Sequence, residues 1–286
     1  MKLYHYDKIN QFDEREKSYL LQHEAAHSLI LGIIDTLIRS PERFTKKPYL
    51  GVVEEDDTIL AVAVRTTPHK LVLSRSLNSE TLQAIAQHLY SSSEPLPGVI
   101  APATEAKTFA EIWQALTEQT YTLSMAQRIY QLETVQLIPK ASGYLRRATN
   151  SECELLINWC KAFSKEAIGD EVAEQDNKRF VERRLSEGSL YLWQDNVPVS
   201  MAGFSGTTPN GIRINLVYTP PEYRKKGYAS SCVAALSQTL LNQGHKYCFL
   251  ITDLTNSTSN HIYQTVGYQP VCDLNDYSFA IIRIDE

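Results

Sequence analysis

Two stretches of this chain combine residue types and spacings that can do chemistry. The first is Arg224-Lys225-Lys226-Gly227-Tyr228-Ala229, inside Asn215–Ser231, NLVYTPPEYRKKGYASS. The run up to Tyr218 reads as a strand, which Pro220 and Pro221 stop because they lack N–H donors. A basic glycine turn then opens a helix. Helix N-termini leave backbone N–H groups unpaired and carry partial positive charge, and small residues let phosphates approach them. The turn is expected to hold a pyrophosphate on the N–H groups of about Lys225–Ser230, with Arg224 and Lys226 adding charge. The second stretch is His23-Glu24-Ala25-Ala26-His27. On a helix, histidines at i and i+4 can chelate zinc, with Glu24 as the base of a hydrolase. Catalytic zinc needs a third protein ligand, however, and no Gly-x-x-His follows His27. Two histidines at the edge of a buried stripe is the competing reading.

The turn has the form Arg/Gln-x-x-Gly-x-Gly/Ala and resembles the cofactor-binding turn of the GCN5-related N-acetyltransferases (GNATs), which bind acetyl-coenzyme A. Further on, Asn256–Tyr268, NSTSNHIYQTVGY, resembles that family's Asn-x-x-x-Asn-x-x-Tyr-x-x-x-Gly-Tyr/Phe pattern. The two are in the family's order, one helix and one strand apart, and the likeness covers roughly residues 140–286. It implies an α+β fold with a central, mostly antiparallel sheet flanked by helices. It implies cofactor contacts from Arg224, Lys225, Lys226, Gly227, Tyr228, Ala229 and Ser230. It also implies contacts from the strand end Leu216, Val217, Tyr218 and Thr219. There the backbone of Val217 and Tyr218 would pair with the pantetheine arm, and one N–H would face the thioester oxygen. Such a donor contributes a few kcal/mol in acyl-transfer sites. Tyr263 matches the family's general acid, a phenol that is protonated at neutral pH and can return a proton to the thiolate. Asn256 and Asn260 match positions near the cofactor. The family's general base varies; Glu166, Asp170, Glu171 and Glu174 lie in the segment that borders the acceptor.

The implied reaction is direct transfer of an acetyl group from acetyl-CoA to a primary amine of a small molecule or peptide, with no metal. Two other functions compete with it. A non-catalytic acyl-CoA-binding or regulatory protein would keep the turn without needing Tyr263, and a zinc hydrolase would need His23 and His27.

The bulk properties set bounds on these readings. The chain has 286 residues, 43% hydrophobic and 21% charged, with net charge −5. Residues 1–138 hold 13 Lys+Arg against 17 Asp+Glu, and the remainder 15 against 16. Neither part is basic, so no nucleic-acid partner is expected. The five cysteines include no Cys-x-x-Cys pair, which points away from a disulfide framework or a cysteine zinc site. No apolar run is long enough to span a bilayer, and Met1–Asp7 has no signal-peptide core. A cytoplasmic protein, without a membrane partner and monomeric or homodimeric, is expected.

These stretches must be positioned by regular elements. Apolar spacing predicts one long helix over 13–38, holding the His-Glu-x-x-His stretch and ended at Ser40-Pro41. Strands are predicted at Tyr49–Glu55 and Thr58–Thr66, a third at His69–Ser74, and helices at 78–90 and Thr104–Gln119. Tyr121–Tyr130 is ambiguous, and Leu132–Ile138 alternates as a strand. Pro139–Gly143 is the best boundary, giving domains 1–138 and 139–286. The second opens with strand Tyr144–Ala148, a capping box Ser151-x-x-Glu154 and helices to Phe163 and over 171–187. A hairpin turns at Asp195-Asn196, and Ile212–Tyr218 leads into the basic turn. The following helix ends at Gly244. Strand Tyr247–Thr252, helix Ser257–Val266 and final strands Gln269–Cys272 and Ser278–Ile284 complete the chain. The first domain carries a degenerate echo of this order without a basic glycine turn.

Overall fold

The computed structural model describes residues 1–92, 94–167, 169 and 173–280. The first part of the chain runs β1 (Lys2–His5), α1 (Ile9–Leu21), α2 (Ser28–Arg39), β2 (Tyr49–Glu55), β3 (Thr58–Arg65) and β4 (Leu71–Leu73). It continues with α3 (Ser79–Ser91), β5 (Gly98–Pro102), α4 (Ala103–Thr117) and β6 (Tyr121–Leu132). The second part runs β7 (Tyr144–Arg147), α5 (Cys153–Ala167), α6 (Glu174–Ser186), β8 (Leu190–Asp195), β9 (Val197–Ser205) and β10 (Gly211–Tyr218). It ends with α7 (Tyr228–Asn242), β11 (Tyr247–Asp253), α8 (Ser257–Val266) and β12 (Gln269–Phe279). Both parts therefore read β-α-α-β-β-β-α-β-α-β, so the echo in the first part is a complete repeat of element order.

Compactness divides the chain into two units. One comprises Met1–Ile129, Gly206–Thr208 and Val271–Glu286; the other comprises Tyr130–Ser205 and Pro209–Pro270. This division falls inside β6. In the first unit the strands run β1-β2-β3-β4-β5-β12, antiparallel except for β4 with β5. Its sheet carries α1 and α2 over Phe12, Ile30, Ile34, Val52, Val62 and Val64. A second core holds Val53, Ala61, Ile85, Phe109 and Trp113 beneath α3 and α4. In the second unit β11-β10-β9-β8-β7 run in order, antiparallel except for β10 with β11. There α7 and α8 cover Ile212, Ile214, Val233 and Leu250, while α5 and α6 cover Leu190, Leu192 and Met201. The last strand of the second repeat, β12, pairs with β5 within the first unit, and the end of β6 places Tyr130 and Leu132 in the second unit's core.

Several expectations are corrected. The helix expected over 13–38 is two, because residues 22–27 form turns in which the Gln22 and His23 N–H groups bond to Tyr19 and Leu20. The two final strands joined at Asp273–Asp276 are one strand, β12. Its acidic residues do not need a solvated turn, since Asp273 is paired with Arg128 and Asp276 with Lys70. The strand expected at Leu132–Ile138 lies earlier, as β6. The capping box before α5 is Thr149 with Glu152, not Ser151 with Glu154. Residues 281–284 of the expected last strand and the first residues of the 171–187 helix lie outside the described residues.

Glu16 on α1 is fully buried beside Phe12 and Leu20, with no partner for either carboxylate oxygen among the described residues. Burial, reinforced by Asp13, pushes its pKa up to about 8. The folded state thus holds a proton that the unfolded chain releases near pH 4.5. Stability is fully present below that pH and is lost as pH rises through about 8. Glu16→Gln should flatten this loss. The variant's gain over the wild type should grow between pH 5 and 9 to the order of a few kcal/mol, as read by denaturant unfolding. Parallel pH curves would contradict it.

Candidate functional site

The site is built where β10 ends. Asn215 faces Gly203 on β9 and Tyr218 faces Met201, so β10 carries one extra residue, a bulge. Leu216 takes the strain, with φ of 52°. The bulge also switches the alternation of side chains. Ile212 and Ile214 point into the core under α7 with Val217, whereas Leu216 and Tyr218 point into the core under α5. On the other edge, β10 pairs with β11 only from Gly211–Arg213 to Tyr247–Phe249. Past that point no pairing joins the two strands among the described residues, so the backbone edge of Leu216–Tyr218 is without a ladder partner on that side. Ser200 fixes the end from the β9 side, its hydroxyl donating to the Tyr218 carbonyl at 3.1 Å and meeting the Thr219 hydroxyl at 2.9 Å.

The turn follows. Pro221–Tyr223 form one 3-10 turn, and α7 starts at Tyr228 with no side-chain cap. Lys225 and Gly227 both lie in the left-handed region, at φ 61° and 78°. Alternating hands of this kind make successive N–H groups converge in an anion-binding concavity. Among the described residues none of the N–H groups of Lys225–Ser230 has a protein acceptor; the first bond of the helix is Ser231 N–H to the Gly227 carbonyl at 3.0 Å. A Cβ on Gly227 would meet only the Ala141 methyl, at 3.8 Å. The cradle is open, and its donors fit a pyrophosphate.

The side chains of the turn are arranged unevenly. Lys225 is exposed, while Lys226 reaches the Glu222 carbonyl at 3.3 Å. Arg224 does not face the cradle: its Nε donates to the Thr219 carbonyl at 2.8 Å and its Nη2 to Glu166 at 2.7 Å. Tyr228 is buried and donates to Asp195 at 2.6 Å. That bond raises the phenol's pKa, while hydrogen bonds from Ser142 and then Tyr228 lower that of Asp195. Ala229 and Ser230 are half-buried in the first turn of α7.

Tyr263 on α8 shares a core cluster with Tyr228, Leu250 and the partly buried Val217. It packs between Tyr130 and Tyr268, with ring centroids 6.4 and 6.1 Å away. Burial pushes its pKa up to about 12, so the phenol keeps its proton at neutral pH. Asn256 and Asn260 are committed to backbone. Asn256 caps α8 by accepting from the Ser259 N–H at 3.0 Å. Asn260 donates to the Asp253 and Asn256 carbonyls at 3.0 and 2.9 Å, and accepts from the Tyr130 hydroxyl at 3.2 Å. They brace the end of β11 against α8.

Sequence reasoning did not find Ser142, Asp195, Ser200 or Ser231. Ser231 receives the Ala141 N–H at 2.9 Å, which holds the 139–143 segment against the start of α7. These partners are 18 to 90 positions apart in the chain, a separation that leaves no local pattern. Of the acceptor-border carboxylates, Glu166 meets the site, Glu174 opens α6, and Asp170 and Glu171 lie outside the described residues.

The His-Glu-x-x-His stretch is in the first unit and is spent on structure. His27 is 1% exposed, and burial lowers its pKa to about 4. Its Nδ1–H donates to the Leu20 carbonyl at 2.9 Å and its Nε2 accepts from the Arg75 N–H at 3.2 Å. A metal would have to displace one of these bonds. Glu24 accepts from Thr208 at 2.5 Å. Among the described residues no group of three or more His, Cys, Asp or Glu is placed to hold a metal ion, and no helix is long and apolar enough to cross a membrane.

Comparison with known proteins agrees with this geometry. Residues 153–268 match the sequence model described as "Acetyltransferase (GNAT) family". No curated protein matches the chain. A GNAT-family acetyltransferase from Colwellia psychrerythraea is similar at 12% identity and TM-score 0.57, covering 98% of this chain and 99% of that one. A GCN5-related N-acetyltransferase from Sphaerobacter thermophilus is similar at 13% identity and TM-score 0.60, covering 96% and 95%. A tandem GNAT protein from the clavulanic acid biosynthesis pathway is similar at 10% and TM-score 0.53, covering 98% of both chains. At these identities the likeness speaks for the fold, and it extends to the first part of the chain. The bulged strand, the uncapped turn and the sequence match fall together in residues 153–268, which are similar to an acetyltransferase domain of the GNAT family.

Proposed function

We propose that this protein transfers an acetyl group from acetyl-CoA directly to a primary amine, as an N-acetyltransferase. The observation that carries the reading is the run of unpartnered N–H groups at Lys225–Ser230 beside a strand end with a free backbone edge. When bound, acetyl-CoA supplies the activated acyl carbonyl and the thiol leaving group. The residues' own tasks follow from their places. The N–H groups of Lys225–Ser230 hold the pyrophosphate, helped by the field at the start of α7. The Leu216–Tyr218 edge orients the pantetheine arm by backbone hydrogen bonds, and an N–H at Val217 or Tyr218 polarises the acyl carbonyl. Tyr263 keeps a proton to give to the departing sulfur. The bracing of β11 by Asn260 and of the strand end by Ser200 keeps these groups in register.

Acetyl-CoA at a hundred times its Kd should raise the Tm by about 5 °C, and Gly227→Glu should remove the shift. No shift in the wild type at millimolar ligand would refute the reading. Tyr263→Phe should leave the Kd for acetyl-CoA within about twofold and lower kcat by about a hundredfold or more, measured by thiol release over a panel of amines. An unchanged kcat would take Tyr263 out of the mechanism.

A further inference from the structure

The Arg224 guanidinium sits in the cofactor turn but is turned away from its N–H groups. It is bound to the Thr219 carbonyl and to Glu166, with its centre 5.8 Å from the Tyr218 ring. Glu166 lies in the last turn of α5, and its second oxygen accepts from the Tyr218 hydroxyl at 3.3 Å. This carboxylate is thus seated at the end of β10, where the free backbone edge stops. Glu222 is close enough to perturb Tyr218 electrostatically but forms no side-chain bond to the strand end among the described residues. Both members of the Glu166–Arg224 pair are close to half exposed, at 47% and 43%. An exposed pair of this kind is weak and is readily exchanged for another partner.

Building on the proposed acetyl transfer, we infer that Arg224 is shared between Glu166 and the cofactor's pyrophosphate, so that cofactor arrival frees Glu166 to take the acceptor's ammonium group. Without cofactor, the guanidinium supplies the positive charge that the carboxylate requires. A pyrophosphate in the cradle carries more negative charge than one carboxylate and competes for the same cation. Once Arg224 turns to it, Glu166 stands beside Tyr218 with an open oxygen. An alkylammonium has the charge and the N–H donors to replace the arginine. Glu166 then removes one proton from it: an N–H bond breaks, an O–H bond forms on the carboxylate, and the electron pair stays on nitrogen for attack. The carboxylic acid passes that proton to solvent. The acceptor class is therefore an amine that is cationic in solution, admitted after the cofactor.

The test is calorimetric titration of coenzyme A into wild type, Glu166→Gln, Arg224→Gln and the double variant. Glu166→Gln should bind coenzyme A about two- to fivefold more tightly, the range expected for removing a competing exposed ion pair. That gain should vanish in the Arg224→Gln background. Unchanged or weaker binding by Glu166→Gln would overturn the sharing of Arg224. In the amine panel, the KM for each amine that the wild type acetylates should rise about tenfold in Glu166→Gln, with Glu174→Gln as the control; an unchanged KM would overturn the role in acceptor binding. Wild type that binds no coenzyme A would instead refute the acetyltransferase reading itself.

Discussion

The site depends on one irregularity, the extra residue in β10. A regular strand would keep Ile212, Ile214, Leu216 and Tyr218 on one face. The bulge puts Leu216 and Tyr218 on the other, so the same strand closes two cores and ends beyond its pairing with β11. The cost is a leucine held at φ 52°, on the order of 1–2 kcal/mol. The result is a half-buried stretch of backbone with no ladder partner on the β11 side among the described residues. Strain of this sort persists only when its surroundings fix it. Here Ser200 bonds to the Tyr218 carbonyl at one end, and at the other the Asn215 side chain accepts from Arg184 and donates to Ser205, so both ends of the irregular stretch are held.

The turn works on the same principle of withheld hydrogen bonds. Most helices have their first N–H groups satisfied by a side-chain cap. α3 follows that rule, with Asn78 accepting from the Thr81 N–H at 2.9 Å. α7 follows the equivalent strand in the second repeat but begins at Gly227 without a cap. The repeated element order thus yields two different helix starts. Near the start of α3, the Ser76 N–H bonds to the Glu105 carboxylate at 3.1 Å. The first repeat fills with its own side chains the place that the second leaves open.

Much of this was legible in the sequence where the signal is local. Helix Ser257–Val266 was read with its observed bounds, because Asn256 caps it and Gly267 ends it at φ 114°. The basic glycine turn and the role of the Leu216–Thr219 strand end are reached through the family resemblance. Distant pairing was not legible. The pairing of β12 with β5 leaves no mark on the strand's composition, and the acidic Asp273–Asp276 run looked like a turn because Arg128 and Lys70 are more than 140 positions away. The His-Glu-x-x-His stretch shows the opposite failure. Its periodicity continued smoothly from α1 into α2, while the buried His27, bonded on both ring nitrogens, marks a break that spacing cannot reveal.

The central claim is that a cofactor phosphate binds on the unpartnered N–H groups of the turn. Amide hydrogen exchange across Lys225–Ser230, with and without coenzyme A, tests it most directly. Among the described residues these amides have no acceptor, and they should exchange fast in the free protein, then become strongly protected when coenzyme A is bound. Coenzyme A binding that leaves their exchange unchanged would contradict the account.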